Sequence, residues 1–223
     1  MTDLNCLLAG LARLIVPVLL LIFWHKRTGA RILPAPAAFL ICLPVFTIAG
    51  LIRTGFAQGD LLPFCIKQGL LYGIFEEGAK YLALRYLLTS CDSRKDAVTY
   101  GIGHGAFEGF SGGLACINLI GTGRAAPDIL PVNLFTAIEG EAFAIALTVL
   151  IFCGIQTGRT KLMLPIAIFL HFISNATTTL YSFSTPIVVI KSTVITAGVC
   201  YAAYRCFAKL RIESGELSIK VIK

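Results

Sequence analysis

Charge is scarce in this sequence. Asp, Glu, Lys and Arg make up 14% of the residues, where soluble globular domains carry about 25%. Hydrophobic residues make up 57% and the mean hydropathy is +0.82. Together these exclude an ordinary soluble domain. Acidic residues are the scarcer sign, 12 against 19 basic. In a soluble protein that excess would suggest nucleic acid. Here it has a simpler source in the positive flanks of membrane helices, so no nucleic-acid partner is expected. No CxxC pair occurs, and the eight Cys lie scattered, mostly inside apolar stretches. That argues against a zinc ribbon or a disulfide framework and reads them as small buried hydrophobes. The apolar runs are continuous rather than alternating, which argues against a membrane barrel. The first run lacks a basic leader and a clear small-residue cleavage site. It is expected to be a retained helix, not a signal peptide.

What is present is a series of seven apolar segments, at about residues 4–24, 37–52, 61–88, 97–120, 132–156, 162–183 and 186–208. A helix crosses a bilayer with roughly 20 such residues. Breakers separate them, among them Pro34 and Pro36, Gly59, Pro127 and Pro131, and Gly158. The expected fold is all-α: a polytopic transmembrane bundle of about seven helices, one integral membrane domain over 1–223, with a motif-bearing core at about 61–183. No internal repeat stands out. Orientation follows from the loops. Lys26, Arg27, Arg31, Arg94, Lys95, Arg159 and Lys161 lie on one side, with Arg205, Lys209, Arg211, Lys220 and Lys223 in the tail. Only Arg53 and Arg124 lie on the other. Positive loops stay in the cytoplasm, so the N-terminus is expected outside and the C-terminus cytoplasmic. The short loops suit a bacterial plasma membrane.

The third segment contains Gly73-Ile74-Phe75-Glu76-Glu77-Gly78-Ala79-Lys80-Tyr81. Two adjacent carboxylates at membrane depth are costly and mark a functional site by default. Glu76 and Lys80, four apart, share a helix face and can pair, so Lys80 could hold one of the two carboxylates ionised. Two carboxyls in unlike surroundings can supply a base and an acid. The fourth segment reads Tyr100-Gly101-Ile102-Gly103-His104-Gly105-Ala106-Phe107-Glu108-Gly109. His104 and Glu108 share a face. Gly101, Gly105, Gly109 and Gly113 form a ladder expected to admit another backbone closely and bring His104 within reach of a carboxylate on it. Plain helix packing would explain the glycines, but not His104 or Glu108. The sixth segment carries His171 and Asn175 at the same spacing, two groups able to donate to a developing oxyanion.

These three pairs lie near the middles of their segments, so they are expected to share one hydrated cavity. Glu139 and Glu141 sit at a shallower level and point apart, so at most one faces it. Pairing of one of them with Lys191 or Arg13 is expected. Arg85, Lys67 and Lys191 lie near segment ends and are expected to reach the interface. Arg13 is more central and receives no role.

Glu76-Glu77-x-x-Lys80, Gly101-x-Gly103-His104-Gly105-x-x-Glu108 and His171-x-x-x-Asn175 together resemble the glutamate-type intramembrane proteases of the CAAX-prenyl endopeptidase superfamily. The YhfC branch is most similar, with the PrsW branch close by. The CAAX branch would place Arg where this chain has Tyr81, which argues against prenylated substrates. The resemblance implies that Glu76 acts as general base on water with His104, that Glu77 orients the site, and that His171 and Asn175 bind the oxyanion. Glu108 fits the YhfC pattern.

The expected activity is therefore hydrolysis of a peptide bond in a membrane-associated protein or peptide, within the lipid bilayer, by activated water. No Ser or Cys stands at these motif positions in a nucleophile-and-base pattern. No cofactor is expected in the leading reading, and no HExxH is present. A zinc-dependent variant would draw on His104, His171 and Glu76. Two other readings stay open. A proton-coupled transporter also uses buried Glu and His, and a non-catalytic scaffold would keep the pairs for packing alone.

Overall fold

The computed structural model describes residues 2–182 and 184–213, with no side-chain placement for 211–213. Lys220 and Lys223 of the basic tail, and Phe183 at the end of the sixth segment, lie outside the described residues. Within them the chain is all-helical. The helices are α1 (Thr2–Thr28), α2 (Pro34–Thr54), α3 (Leu61–Leu82), α4 (Arg94–Ile117), α5 (Ile129–Gln156), α6 (Thr160–Leu180) and α7 (Thr185–Glu213). Seven apolar segments thus become seven helices, in a polytopic integral membrane bundle.

The boundaries have local causes. Pro34 opens α2, where its missing N–H costs nothing. Ser93 and Asp96 form a reciprocal capping box at the start of α4. Gly29 and Gly158 follow α1 and α5 at φ of 68° and 70°, a left-handed exit that favours glycine. One π-helical turn, Ala83–Leu87, continues α3.

Five helices, α1, α2, α5, α6 and α7, are long and apolar enough to cross a membrane. The other two, α3 and α4, have 22 and 24 residues and carry the acidic and histidine motifs. Their Glu76, Glu77, Lys80 and His104 are buried against neighbouring helices, while Leu62, Leu70 and Ile74 of α3 stay exposed. The central helix is α5, whose Leu147, Ile151 and Phe152 anchor the main apolar cluster. A helix that is apolar all round is one that packs on every side, and α5 meets α1, α4, α6 and α7.

Close approach is set by glycine, but not as the ladder predicts. A Cβ on Gly101 or Gly105 would run into Ile145 or Glu141 of α5. On Gly109 or Gly113 it would meet the backbone of α1 at Arg13 or Gly10. The ladder therefore seats α4 against α5 and α1, not against the helix whose carboxylate reaches His104. That helix, α3, is seated by its own glycines. A Cβ on Gly69 would lie 2.8 Å from the Phe172 carbonyl oxygen of α6, and one on Gly73 2.9 Å from that of Ile168.

The end bearing the α1–α2 loop is stitched by polar contacts. Arg31 pairs with Asp96 and with Asp92, and Lys95 donates to the Thr28 carbonyl at 3.0 Å. The Asp96 carboxylate holds the Arg31 guanidinium above its already high ordinary pKa.

Candidate active site

The α3–α6 contact places Glu77 beside His171. Glu77 Oε1 accepts from Lys80 Nζ at 2.7 Å and lies 2.6 Å from His171 Nδ1. Of the two carboxylates Lys80 could hold, it takes Glu77, three residues back, and not Glu76. At that position its ammonium bonds a group that is wholly buried, which an isolated buried charge needs. The other Glu77 oxygen, Oε2, is buried without a partner.

Glu76 is free for a different contact. Its Oε2 lies 3.0 Å from His104 Nε2 and 3.8 Å from His171 Nε2. Two imidazoles from different helices thus converge on one carboxylate oxygen. His104 Nε2 is also 3.3 Å from Glu108 Oε1, one turn along α4. Glu76, Glu77, Lys80, His104 and His171 are all buried, while Glu108 is partly exposed.

A cavity of about 350 Å³ opens beside this cluster. Glu76, Glu108, His171 and Asn175 face it, whereas His104, Glu77 and Lys80 stand behind its wall. Asn175 makes no side-chain hydrogen bond among the described residues, so its amide is available to the cavity. From Glu76 and His171 the lining runs to Arg53 and Thr179, at the ends of α2 and α6 away from the basic loops.

Neither Glu139 nor Glu141 lines the cavity, and neither forms an ion pair with Lys191 or Arg13. Glu139 accepts from Thr196 on α7, and Lys191 donates to the Ser174 carbonyl at 3.0 Å and to Thr178. Glu141 packs on Gly105 with both carboxyl oxygens buried and unpartnered.

Two neighbours of the site were not legible as such in the sequence. Cys42 Sγ on α2 lies 3.1 Å from His104 Nδ1. It is buried and off the cavity wall, so it supports the imidazole from behind. Arg13 lines the cavity with its Nη1 2.6 Å from Thr136 Oγ1. Nothing in the spacing of either residue points to the site, because both arrive from helices distant in sequence.

The donor set can be tested against a metal ion. One oxygen each of Glu76 and Glu108 and one nitrogen of His104 lie within 4.8 Å of one another. Carboxylate and imidazole suit a divalent ion such as zinc. Within the cluster, three carboxylates, Glu76, Glu77 and Glu108, face one ammonium, Lys80, while Arg13 and Arg53 line the cavity beside it.

A family model described as YhfC intramembrane metalloprotease matches residues 12–129. The chain belongs to the YhfC intramembrane metalloprotease family. The matched stretch contains Glu76, Glu77, His104 and Glu108; His171 and Asn175 lie beyond it. A curated YhfC relative is the uncharacterized membrane protein YhfC of Bacillus subtilis (strain 168), 28% identical over 127 residues. The alignment covers 51% of this chain and 48% of that protein, so the chain spans about half the length of this relative. No solved structure matches.

Proposed function

We propose that this YhfC protein is an intramembrane endopeptidase that hydrolyses a peptide bond of a membrane-associated substrate, with Glu76, His104 and Glu108 holding a divalent metal ion, zinc by preference. The observation that carries this reading is the convergence of those three ligand groups beside a cavity at membrane depth. It also revises the metal-binding set: Glu108 takes the place that His171 has in the sequence-based zinc variant. The family description supports the metal.

When bound, such an ion makes water a stronger nucleophile and polarises a carbonyl. The chain's own groups do the rest. His104 presents Nε2 to the ligand cluster, and Cys42 beside Nδ1 sets which nitrogen carries the proton. Glu77 accepts the Nδ1 proton of His171 and so fixes that ring with Nε2 toward Glu76 and the cavity. A further proton on Nε2 makes His171 a donor to a developing oxyanion, its charge compensated by Glu77. The Asn175 amide donates from one turn further along α6. That proton on Nε2 comes from the attacking water, whose hydroxyl joins the carbonyl carbon, and it passes from Nε2 to the leaving amine as the C–N bond breaks.

The direct 3.0 Å contact between Glu76 and His104 favours a second version of the same hydrolysis, in which Glu76 itself takes the proton of the attacking water without a metal. Substrate enters from the face opposite the basic loops, where the cavity opens, and that face is extracytoplasmic by the distribution of positive charge.

Two measurements test the reading. Purified protein should carry close to one equivalent of metal, lost in His104→Ala. Absence of metal from active protein would select the metal-free version. Membranes from cells expressing wild type should contain new peptide N-termini that are missing with Glu76→Gln at matched abundance. Identical termini in both would sink the protease reading and favour proton-coupled transport, tested by pH-driven flux in proteoliposomes.

A further inference from the structure

Arg13 is a feature of the cavity that hydrolysis by the acidic and histidine cluster leaves unexplained. It comes from α1, the helix farthest in sequence from the motifs. Its guanidinium carries five N–H donors, yet its hydrogen bonding among the described residues is limited to Thr136 Oγ1, a neutral hydroxyl. It forms no ion pair among the described residues, and its Nε is buried without a partner. A positive charge at membrane depth is normally matched by an anion or marks a pathway. Here, among the described residues, Glu139 is near enough to feel the Arg13 charge but no carboxylate reaches ion-pair distance.

The placement is built. A Cβ on Gly112 of α4 would stand 2.3 Å from Arg13 Nε and 2.5 Å from Nη2, and one on Gly109 2.6 Å from the Arg13 carbonyl oxygen. Two glycines outside the catalytic motifs therefore make room for the Arg13 backbone and its head group at the cavity wall. Arg53 lines the same cavity at the end of α2, its guanidinium 5.5 Å from the centre of the Phe64 ring. The acidic groups lining the cavity are Glu76 and Glu108, both in the proposed metal-binding set. The cavity thus has a reacting end and an arginine-bearing wall.

We infer that Arg13 is the specificity-determining residue of this cavity and receives a carboxylate of the substrate peptide. For its substrate class the inference rests on the protease reading above. The carboxylate is either a free C-terminus or an acidic side chain near the scissile bond. A volume of about 350 Å³ lies at the small end of ligand sites, so the anion and the reacting carbonyl occupy neighbouring positions. A charge-assisted hydrogen bond in such a site gives a preference of about tenfold or more over a neutral peptide.

The test uses the full chain carrying Glu76→Gln, which blocks turnover, in phosphatidylcholine nanodiscs. Three labelled alanine–leucine peptides of equal length are compared by fluorescence polarisation: one neutral and amidated, one with a free C-terminal carboxylate, one amidated with an internal Glu. At least one carboxylate peptide should bind about tenfold tighter than the neutral one, and which one does so identifies the source of the anion. Adding Arg13→Gln should bring that ratio close to one. Gly112→Ala keeps the charge but displaces the guanidinium, and should lower the ratio too; it decides the matter if Arg13→Gln fails to fold. Equal affinities in the parent, or a ratio unchanged in the folded variants, would overturn the inference. Cleavage by the unsubstituted protein is read separately. Anion preference without cleavage of any peptide or membrane protein would count against the protease reading and leave the Arg13 site standing; cleavage without anion preference would do the reverse.

Discussion

Glu77 and His171 stand 94 residues apart in the chain, and Glu77 Oε1 lies 2.6 Å from His171 Nδ1. The same oxygen accepts from Lys80. One buried carboxylate thus anchors a cation on its own helix and an imidazole on α6, and the orientation of His171 toward the cavity depends on it.

Breaking this triad from the cation side should be costly. Lys80→Ala leaves Glu77 buried with His171 as its remaining ionisable partner, and loss of one partner of a buried pair costs about 3–5 kcal/mol. Thermal unfolding in detergent should fall accordingly. The double variant Glu77→Gln with Lys80→Met should recover much of the loss. A Lys80→Ala protein as stable as wild type would refute the triad.

Cys42 should matter through His104 alone. Groups that orient a metal-binding imidazole typically contribute 10–100-fold in affinity or activity. Cys42→Ala is expected to weaken metal retention by about that factor, measured by competition with a chelator. Cys42→Ser should retain more, since a hydroxyl can still bond Nδ1. Equal retention in wild type and Cys42→Ala would show that the 3.1 Å contact is incidental.

The glycines of the motifs should not respond alike. A Cβ on Gly103 would fall 2.0 Å from the Ala35 carbonyl oxygen and 2.5 Å from its Cα. Backbone cannot give way cheaply, so Gly103→Ala should destabilise by about 1–3 kcal/mol or more and shift His104. At Gly78, between Glu77 and Lys80, a Cβ would meet nothing within 4 Å. Gly78→Ala should be at least as stable as wild type, since glycine inside a helix costs about 0.5–1 kcal/mol relative to alanine. Comparing the two midpoints checks the prediction, and equal losses would contradict it.

Glu141 offers a stabilising change. Both of its carboxyl oxygens are buried and unpartnered against Gly105, and an unbonded buried polar group costs about 1–3 kcal/mol. Glu141→Leu has similar bulk and no such cost, so its unfolding midpoint should rise. A fall would mean that the carboxyl has a partner in the folded protein, such as bound water.

The helices of this molecule can be read from its sequence alone. Runs of about 20 apolar residues leave the chain no economical place but a bilayer, and backbone hydrogen bonding there permits helices. Hence the seven segments and their breakers translate directly into α1–α7. The polar motifs stand out for the same reason: charge at that depth is too costly to be incidental. Which groups would touch is another matter. Spacing along α3 allows Lys80 to reach either Glu76 or Glu77, and only the packing of α6, which brings His171 to Glu77, decides between them. The α4 ladder announces close approach without naming the neighbour, because a glycine carries no mark of what lies against it. Cys42 and Arg13 look like an ordinary core cysteine and a stray cation in sequence. They become parts of the site only when α2 and α1 pack on α4, since a hydrogen bond or a cavity wall depends on distances between helices that no periodicity encodes.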